Sequence, residues 1–299
     1  MKAFPLVDEL RAHHAVSLAC SVLKVTPQGY YAWRKRLQCP GPRRRQDQRL
    51  YGPILALYAR SRDTYGAPRI QSRLRIEEDI RIGQKRAARL MRELGIRGVS
   101  KGPRRPRTTT PDATAPPAPD RLGRDFSARR PDQKWCADIT YVPTREGYLF
   151  LGVVMDCYSR RIVGWSMRDN LEAELVADAI AMGVARRRPE PGLIHHSDRG
   201  SQYTSMLVGK TLRDSGILAS MGSVGDPWDN AMQESAIGTI KAELVDRHDF
   251  VSRTQARLRL FDYIENFYNP IRAHSSLGML SPDEYEAQYD PTAAAEEAA

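Results

Sequence analysis

The stretch 101–131, KGPRRPRTTTPDATAPPAPDRLGRDFSARRP, constrains the fold more than any other part of the chain. It is rich in Pro, Thr, Ala and Arg and has no apolar periodicity, so it reads as an extended basic linker. It divides 299 residues, enough for two domains and one sizeable core. Charge divides at the same place. Residues 1–130 hold 29 Lys and Arg against 11 Asp and Glu, a balance of +18; residues 131–299 hold 17 against 25, a balance of −8. A basic N-terminal part of this kind suggests a nucleic-acid partner, and the linker arginines could lie along a phosphate backbone. The plain alternative is an arginine-rich solvated surface.

Several classes are set aside. No run of 18 apolar residues occurs, so no membrane span is expected. The start, MKAFPLVDELRAHHAV, carries early charges and no apolar leader core, so no signal peptide is expected either. Cys20, Cys39, Cys136 and Cys157 form no CxxC pair and suggest reduced thiols and a cytoplasmic location. His13, His14, Cys20 and Cys39 do not make two closely spaced pairs, which argues against zinc.

Residues 1–100 read as helical. In 17–36, Leu18, Val22, Leu23 and Val25 fall at helix-turn spacing, and Thr26 followed by Pro27 is an N-cap and first helical residue opening a second helix. That is a helix-turn-helix outline with Tyr30, Tyr31 and Trp33 on its second element. Further helices are expected near 50–62, 68–77 and 83–94, the last closed by Gly95. On that last helix Lys85, Arg86, Arg89 and Arg92 alternate with Ala87, Leu90, Met91 and Leu94, which suits a helix lying on DNA as well as one with solvated arginines.

From 132 to 288 the pattern changes. WCADITYV (135–142) reads as a strand, and 148–167 as two β-rich runs turning near 158–160. A helix at 172–187, a strand at 192–198, a helix at 203–214, a strand at 217–222 and helices at 229–245 and 253–268 follow. The order β-β-β-α-β-α-β-α predicts an α/β fold: a mixed sheet with helices on both faces. The tail, 289–299, reads as disordered.

Three carboxylates stand out by position. Asp138 sits mid-strand, where a charge is costly without a partner or a metal. Asp198 ends the strand GLIHHSD, and strand ends are where α/β sheets bind ligands. Glu234 sits early on a helix. If the first and fourth strands are neighbours, Asp138 and Asp198 lie side by side and repel, a conflict that a divalent cation removes. Oxygen ligands favour Mg²⁺ or Mn²⁺. Lys241 follows Glu234 by seven residues, on the same helix face, where it suits a phosphate contact; alone it could equally be a surface lysine.

These residues and words resemble one family. WCADITYV around Asp138, HSDRGSQY around Asp198 and DNAMQES around Glu234 are similar to the catalytic protein (the second-frame product, OrfB) of IS-three family insertion-sequence transposases. In that family 35 residues separate the second Asp from the Glu, and a basic residue follows the Glu by seven; here 35 residues lie between Asp198 and Glu234, and Lys241 stands seven after it. FYNPIRAHSSLGMLSP (267–282), with Asn269, Arg272 and His274, resembles the closing segment, and YGAPRIQSRL with RAARLMRELGI the helix-turn-helix-like region. The resemblance covers nearly all of 15–285.

It implies a ribonuclease-H-like, integrase-type core behind a helical DNA-binding region. It implies that Asp138, Asp198 and Glu234 hold two metal ions, and that the chemistry is cleavage of element ends by water followed by strand transfer into target DNA. Expected partners are DNA, a first-frame (OrfA) protein that supplies the leucine zipper missing here, and further copies of the chain on DNA. Arg199 and Gln202 are candidate contacts to the scissile strand, and Asn230, with Asp229 and Trp228 beside it, to phosphate at a helix start. Asp156 is expected to be structural. Of His195 and His196, one is expected to face the core and one outward. The rival from another class is a non-catalytic DNA-binding regulator or decayed element product.

Overall fold

The computed structural model describes residues 3–100, 118–123, 125–198, 200–222 and 231–290. The N-terminal third is helical: α1 (Ala3–Leu10), α2 (Val16–Val22), α3 (Pro27–Gln38), α4 (Pro42–Arg60), α5 (Ala67–Glu78) and α6 (Gln84–Glu93). Thr26 caps α3 as expected, its hydroxyl accepting the Gly29 N–H. Gly95 adopts φ +69° directly after α6, the left-handed residue that ends many helices. Two features exceed the sequence reading. α1 was not foreseen, and α4 begins eight residues before the expected start and runs through Pro53.

The second part is built on five strands: β1 (Lys134–Thr144), β2 (Gly147–Asp156), β3 (Ile162–Arg168), β4 (Ile194–Ser197) and β5 (Leu218–Met221). They lie in the order β3-β2-β1-β4-β5. The first three form an antiparallel meander, and β1, β4 and β5 run parallel. Helices α7 (Ala173–Arg187), α8 (Met206–Asp214), α9 (Ala231–Glu243), α10 (Arg253–Tyr263) and α11 (Pro282–Glu286) complete the chain. The expected mixed α/β sheet with helices on both faces is observed.

Alternation along β1 assigns the two faces. Trp135 and Ala137 pack with Val154, Val163 and the buried residues of α7 and α8, among them Val176, Ile180, Val208 and Leu212. Val142, one register step out of phase, packs on the other face with Ile237 and Ile240 of α9, Leu260 of α10, and Phe267 and Tyr268 of the π-turn Ile264–Tyr268. This second core does not stop at the sheet. Leu50, Ile54, Leu57, Ile70, Leu74, Leu90 and Met91 of α4–α6 belong to it. Each fully buried Leu or Ile contributes about 1.5–3 kcal/mol, so α4–α6 are joined to the sheet by shared apolar packing. Arg62 with Asp262 (2.7 Å) and Arg73 with Glu284 (2.7 Å) reinforce the join. By contrast, α1–α3 close around a small cluster of their own: Val7, Ala19, Cys20 and Tyr30. The N-terminal region therefore holds two packing units.

Of the basic segment between the two parts, 118–123 and 125–131 are described, and they lie against the sheet. Leu122 is buried, the Arg121 N–H donates to Ser220 Oγ (2.9 Å), and Phe126 packs edge-on to His196. Of the expected disordered tail, 289–299, residues from 291 onward lie outside the described residues, while Tyr289 packs edge-on to Tyr158.

Candidate active site

β1 and β4 pair in parallel with Trp135 opposite His195 and Cys136 opposite His196. Asp138 and Asp198 each lie two residues beyond the last of these pairs, and Tyr203 feels the negative charge of both. The sequence-based condition, that the first and fourth strands be neighbours, is met. Asp138 is half-buried, and its Oδ1 accepts the Ile139 N–H (2.8 Å). Asp198 is half-buried at the end of β4, and its Oδ1 accepts the Gly200 N–H (3.0 Å). A Cβ on Gly200 would stand 3.1 Å from that oxygen and 3.2 Å from Gln202 Oε1, so the loop needs glycine to wrap the carboxylate this closely.

Tyr203, which the sequence analysis does not single out, is buried in the core formed with α7 and α8. Its side chain is buried, and burial raises its hydroxyl pKa well above the ordinary range, with the negative charges of Asp138 and Asp198 adding to the rise. The phenol is thus neutral and feels both carboxylates at once. The signal was present in HSDRGSQY, where an aromatic five residues after the aspartate closes the loop.

Glu234 enters from α9, one turn in. Met232 and Ala236 of that helix pack on Cys136 and Met155, which holds the helix start against β1. Glu234 itself is half-buried. Among the described residues no three of His, Cys, Asp and Glu stand together at metal-holding distance. Asp138 lies on β1, Asp198 follows β4, and Glu234 lies on α9, which packs on β1. Carboxylate oxygens are the donors that a hard divalent cation takes.

Lys241 lies two turns beyond Glu234. Its Nζ sits 4.4 Å from the centre of the Tyr141 ring, and Tyr141 packs edge-on to Tyr148. A half-buried ammonium over an aromatic face is a positioned group. Arg199 and Asn230, together with Asp229 and Trp228, lie outside the described residues. On α6, Lys85 and Arg92 are exposed, while Arg86 and Arg89 each reach Asp47 of α4 at 2.7 Å. Asp47 is buried, so these two arginines brace α6 against α4. The basic face expected of α6 is therefore narrower than its sequence suggests.

The histidines correct another expectation. Both are buried, because β4 is a parallel strand covered on both faces. His196 Nδ1 meets Ser220 Oγ (2.9 Å), and burial pushes the His195 pKa down to about 4, so that ring is neutral. Asp156 is structural, as expected. Buried at the end of β2, it accepts the N–H groups of Ser159 (2.9 Å) and Asp132 (2.7 Å), tying the β2–β3 turn to the start of β1. Arg272 and Asn269 of the closing segment also have structural partners. Arg272 pairs with Glu243 at the end of α9, and Asn269 brackets the backbone of Ile162 (2.9 and 3.0 Å).

The chain matches family models described as integrase core domain over 128–227 and 215–282, and as HTH-like domain over 45–104. It is 37% identical over 95% of its length to a transposase for insertion sequence element IS629 of Shigella sonnei, covering 96% of that protein. It is 36% identical over 95% of its length to the transposase InsF for insertion sequence IS3A of Escherichia coli, covering 98% of it. Among solved structures, the catalytic core domain of HTLV-2 integrase in complex with magnesium aligns at 16% identity and a TM-score of 0.40, covering 52% of this chain and 97% of that one. No helix among the described residues is long and apolar enough to cross a membrane. With identity at this level over nearly the whole length, the chain belongs to the IS3 family of insertion-sequence transposases and is a DNA transposase.

Proposed function

We propose that Asp138, Asp198 and Glu234 form the catalytic triad of this transposase and together hold divalent ions, Mg²⁺ or Mn²⁺, two to a site. The parallel pairing of β1 with β4, the two strands that lead to Asp138 and Asp198, is the observation that supports this most, together with the charge of both on Tyr203. Neighbouring carboxylates repel, a conflict that a divalent cation removes. Glu234, on the helix that packs on β1, would supply the third oxygen ligand. Ions held by these residues would supply activation of the attacking oxygen and charge stabilisation of the leaving oxygen.

The chain's own residues supply the rest. At the element end, water attacks phosphorus, the P–O3′ bond breaks, and the 3′-oxygen leaves carrying a proton. In transfer, that 3′-oxygen attacks a phosphodiester of the target, forming one P–O bond as another breaks, so no outside energy source is needed. Buried, neutral Tyr203 keeps its proton. Lys241, held over Tyr141, contacts a phosphate next to the reacting one, and Arg199, Asn230, Lys85 and Arg92 contribute DNA contacts around it. Arg86 and Arg89 serve DNA binding through the placement of α6. A first-frame partner protein and further copies of this chain complete the DNA complex.

The test is strand transfer with pre-cut ends. Asp138→Asn, Asp198→Asn and Glu234→Gln are each expected to lose cleavage and joining while keeping DNA affinity within threefold of wild type. Substantial joining by any of the three in Mg²⁺ removes that residue from the site.

A further inference from the structure

The three matched family segments begin at residue 45, so α1–α3 stand outside them. This unit has its own core and a particular turn. α2 ends in a doubly bonded cap: the Lys24 N–H donates to the Ser21 carbonyl (3.2 Å) and the Val25 N–H to the Cys20 carbonyl (3.0 Å). Lys24 takes φ +52°, the left-handed conformation this cap requires. Thr26 then caps α3, so only four residues separate the two helices. Gly29 sits on the inner side of α3, where a Cβ would stand 2.9 Å from Thr26 Oγ1 and 3.2 Å from Phe4. Two short helices joined by so tight a turn, with the first buried through Ala19 and Cys20 and the second through Tyr30, have the form that places a second helix in a DNA major groove.

The outward side of α3 has matching chemistry. Gln28, Tyr31, Ala32 and Lys35 are exposed at helical spacing on one stripe. Between Glu9 and Asp47 the chain has no acidic residue and eight basic ones: Arg11, Lys24, Arg34–Arg36 and Arg43–Arg45. Asp8 of α1 is already engaged by Tyr30 (2.6 Å) and Arg11 (3.0 Å). Gln and Lys are side chains that read adenine and guanine edges, and Ala meets the thymine methyl.

We propose that α2–α3 is a second DNA-reading module of this transposase, separate from α4–α6, with Gln28, Tyr31, Ala32 and Lys35 facing base edges in the major groove. The proposal rests on the transposase reading for its biological setting but not for its test. α4–α6 share a core with the catalytic sheet and so hold DNA at a fixed place relative to the aspartates. α1–α3 share no such core, and they read a segment further along the same duplex.

The test is selection from a pool of random-sequence duplexes by the full-length protein, wild type against Gln28→Ala/Tyr31→Ala/Lys35→Ala, with thermal midpoints recorded for both. The expected result is a recovered sequence with two separated blocks for wild type, of which the variant loses one and keeps the other. Affinity for the wild-type sequence falls about tenfold or more, at an unchanged midpoint. Lys35→Ala alone should flatten the dependence of log affinity on log salt by about one unit if that amine also neutralises a phosphate. Recovery of the same sequence by both proteins overturns the proposal. So does a variant that changes self-association while its recovered sequence stays intact, which would assign the strip of Leu18 and Val22 on α2 and the α3 stripe to protein contact. Recovery of no sequence by wild type also overturns it, and metal-dependent cutting by the same preparation would show that the transposase reading survives.

Discussion

Arg272→Ala removes one half of a buried ion pair that holds the end of α9. Arg272 and Glu243 have side chains 4% and 6% exposed, and two N–H···O bonds of 2.7 and 2.6 Å join them. Tyr263 donates a third bond to the same carboxylate (2.8 Å), and Arg69 stands at 3.7 Å. In the native protein burial alone would push the Glu243 carboxyl up, but the bonds and charge of Arg272, with help from Tyr263 and Arg69, hold it below its ordinary value. Without Arg272 the carboxylate keeps its burial and loses its main partner. The cost of breaking such a pair is about 3–5 kcal/mol, a large share of a typical net stability of about 5–15 kcal/mol. The sign with pH follows. In the variant the folded pKa of Glu243 rises above its unfolded value of about 4.3, so the stability of its protonated form is present at low pH and lost as pH rises. Denaturant unfolding at pH 5 and pH 8 should show wild type and variant furthest apart at pH 8 and closer at pH 5. Replacing both partners by uncharged residues, Glu243→Gln with Arg272→Met, should recover much of the loss. A single variant within 1 kcal/mol of wild type at pH 8, or a gap that widens at pH 5, would refute the reasoning.

Asp156 gives a second titration. Burial raises its folded pKa to about 6, against the pull of the Ser159 and Asp132 N–H groups, so its contribution is present below about pH 4 and lost as pH rises through 6. Asp156→Asn keeps an acceptor and cannot ionise, so its unfolding free energy should fall less than that of wild type between pH 4 and 7, by about 3 kcal/mol at most; parallel curves would count against this. Of the four thiols Cys39 alone is exposed, and a thiol reagent should modify one cysteine quickly in the native protein and four after unfolding. Lys241→Ala is expected to weaken end binding or strand transfer several-fold while leaving the metal concentration for half-maximal activity unchanged; equal DNA affinity and equal transfer would retire its phosphate role.

Much of this was legible in the residues because the relevant signals are local. Alternation placed β1, and the apolar run ending at Asp198 placed β4. Thr26-Pro27 marked the start of α3 and Gly95 the end of α6. What was not legible depended on partners far away in sequence. The helix expected near 50–62 in fact begins at Pro42, where Asp47 meets Arg86 and Arg89 and Leu50 joins the shared core. The same contact turns two arginines of α6 from a free face into a brace. His195 and His196 were assigned opposite environments from strand alternation alone, but helices cover both faces of the sheet, so both are buried. The helix read as 253–268 widens into a π-turn at Ile264, which brings Tyr263, Ile264, Phe267 and Tyr268 all inward, a pattern wider than one face of an α-helix. That β1 and β4 are parallel neighbours is something a sequence can suggest. The placement of α9, which carries Glu234, is encoded by no periodicity.

The central claim is that the paired aspartates make this chain a metal-dependent strand-transfer enzyme. The most direct measurement follows a labelled linear end of the parent element with wild type and Asp198→Asn, in Mg²⁺ and in excess EDTA. Nicking and joining by wild type in Mg²⁺, absent in EDTA and absent in the variant while both proteins bind the end equally, is the predicted result. Joining that persists in EDTA, or in Asp198→Asn with Mg²⁺ present, would contradict it.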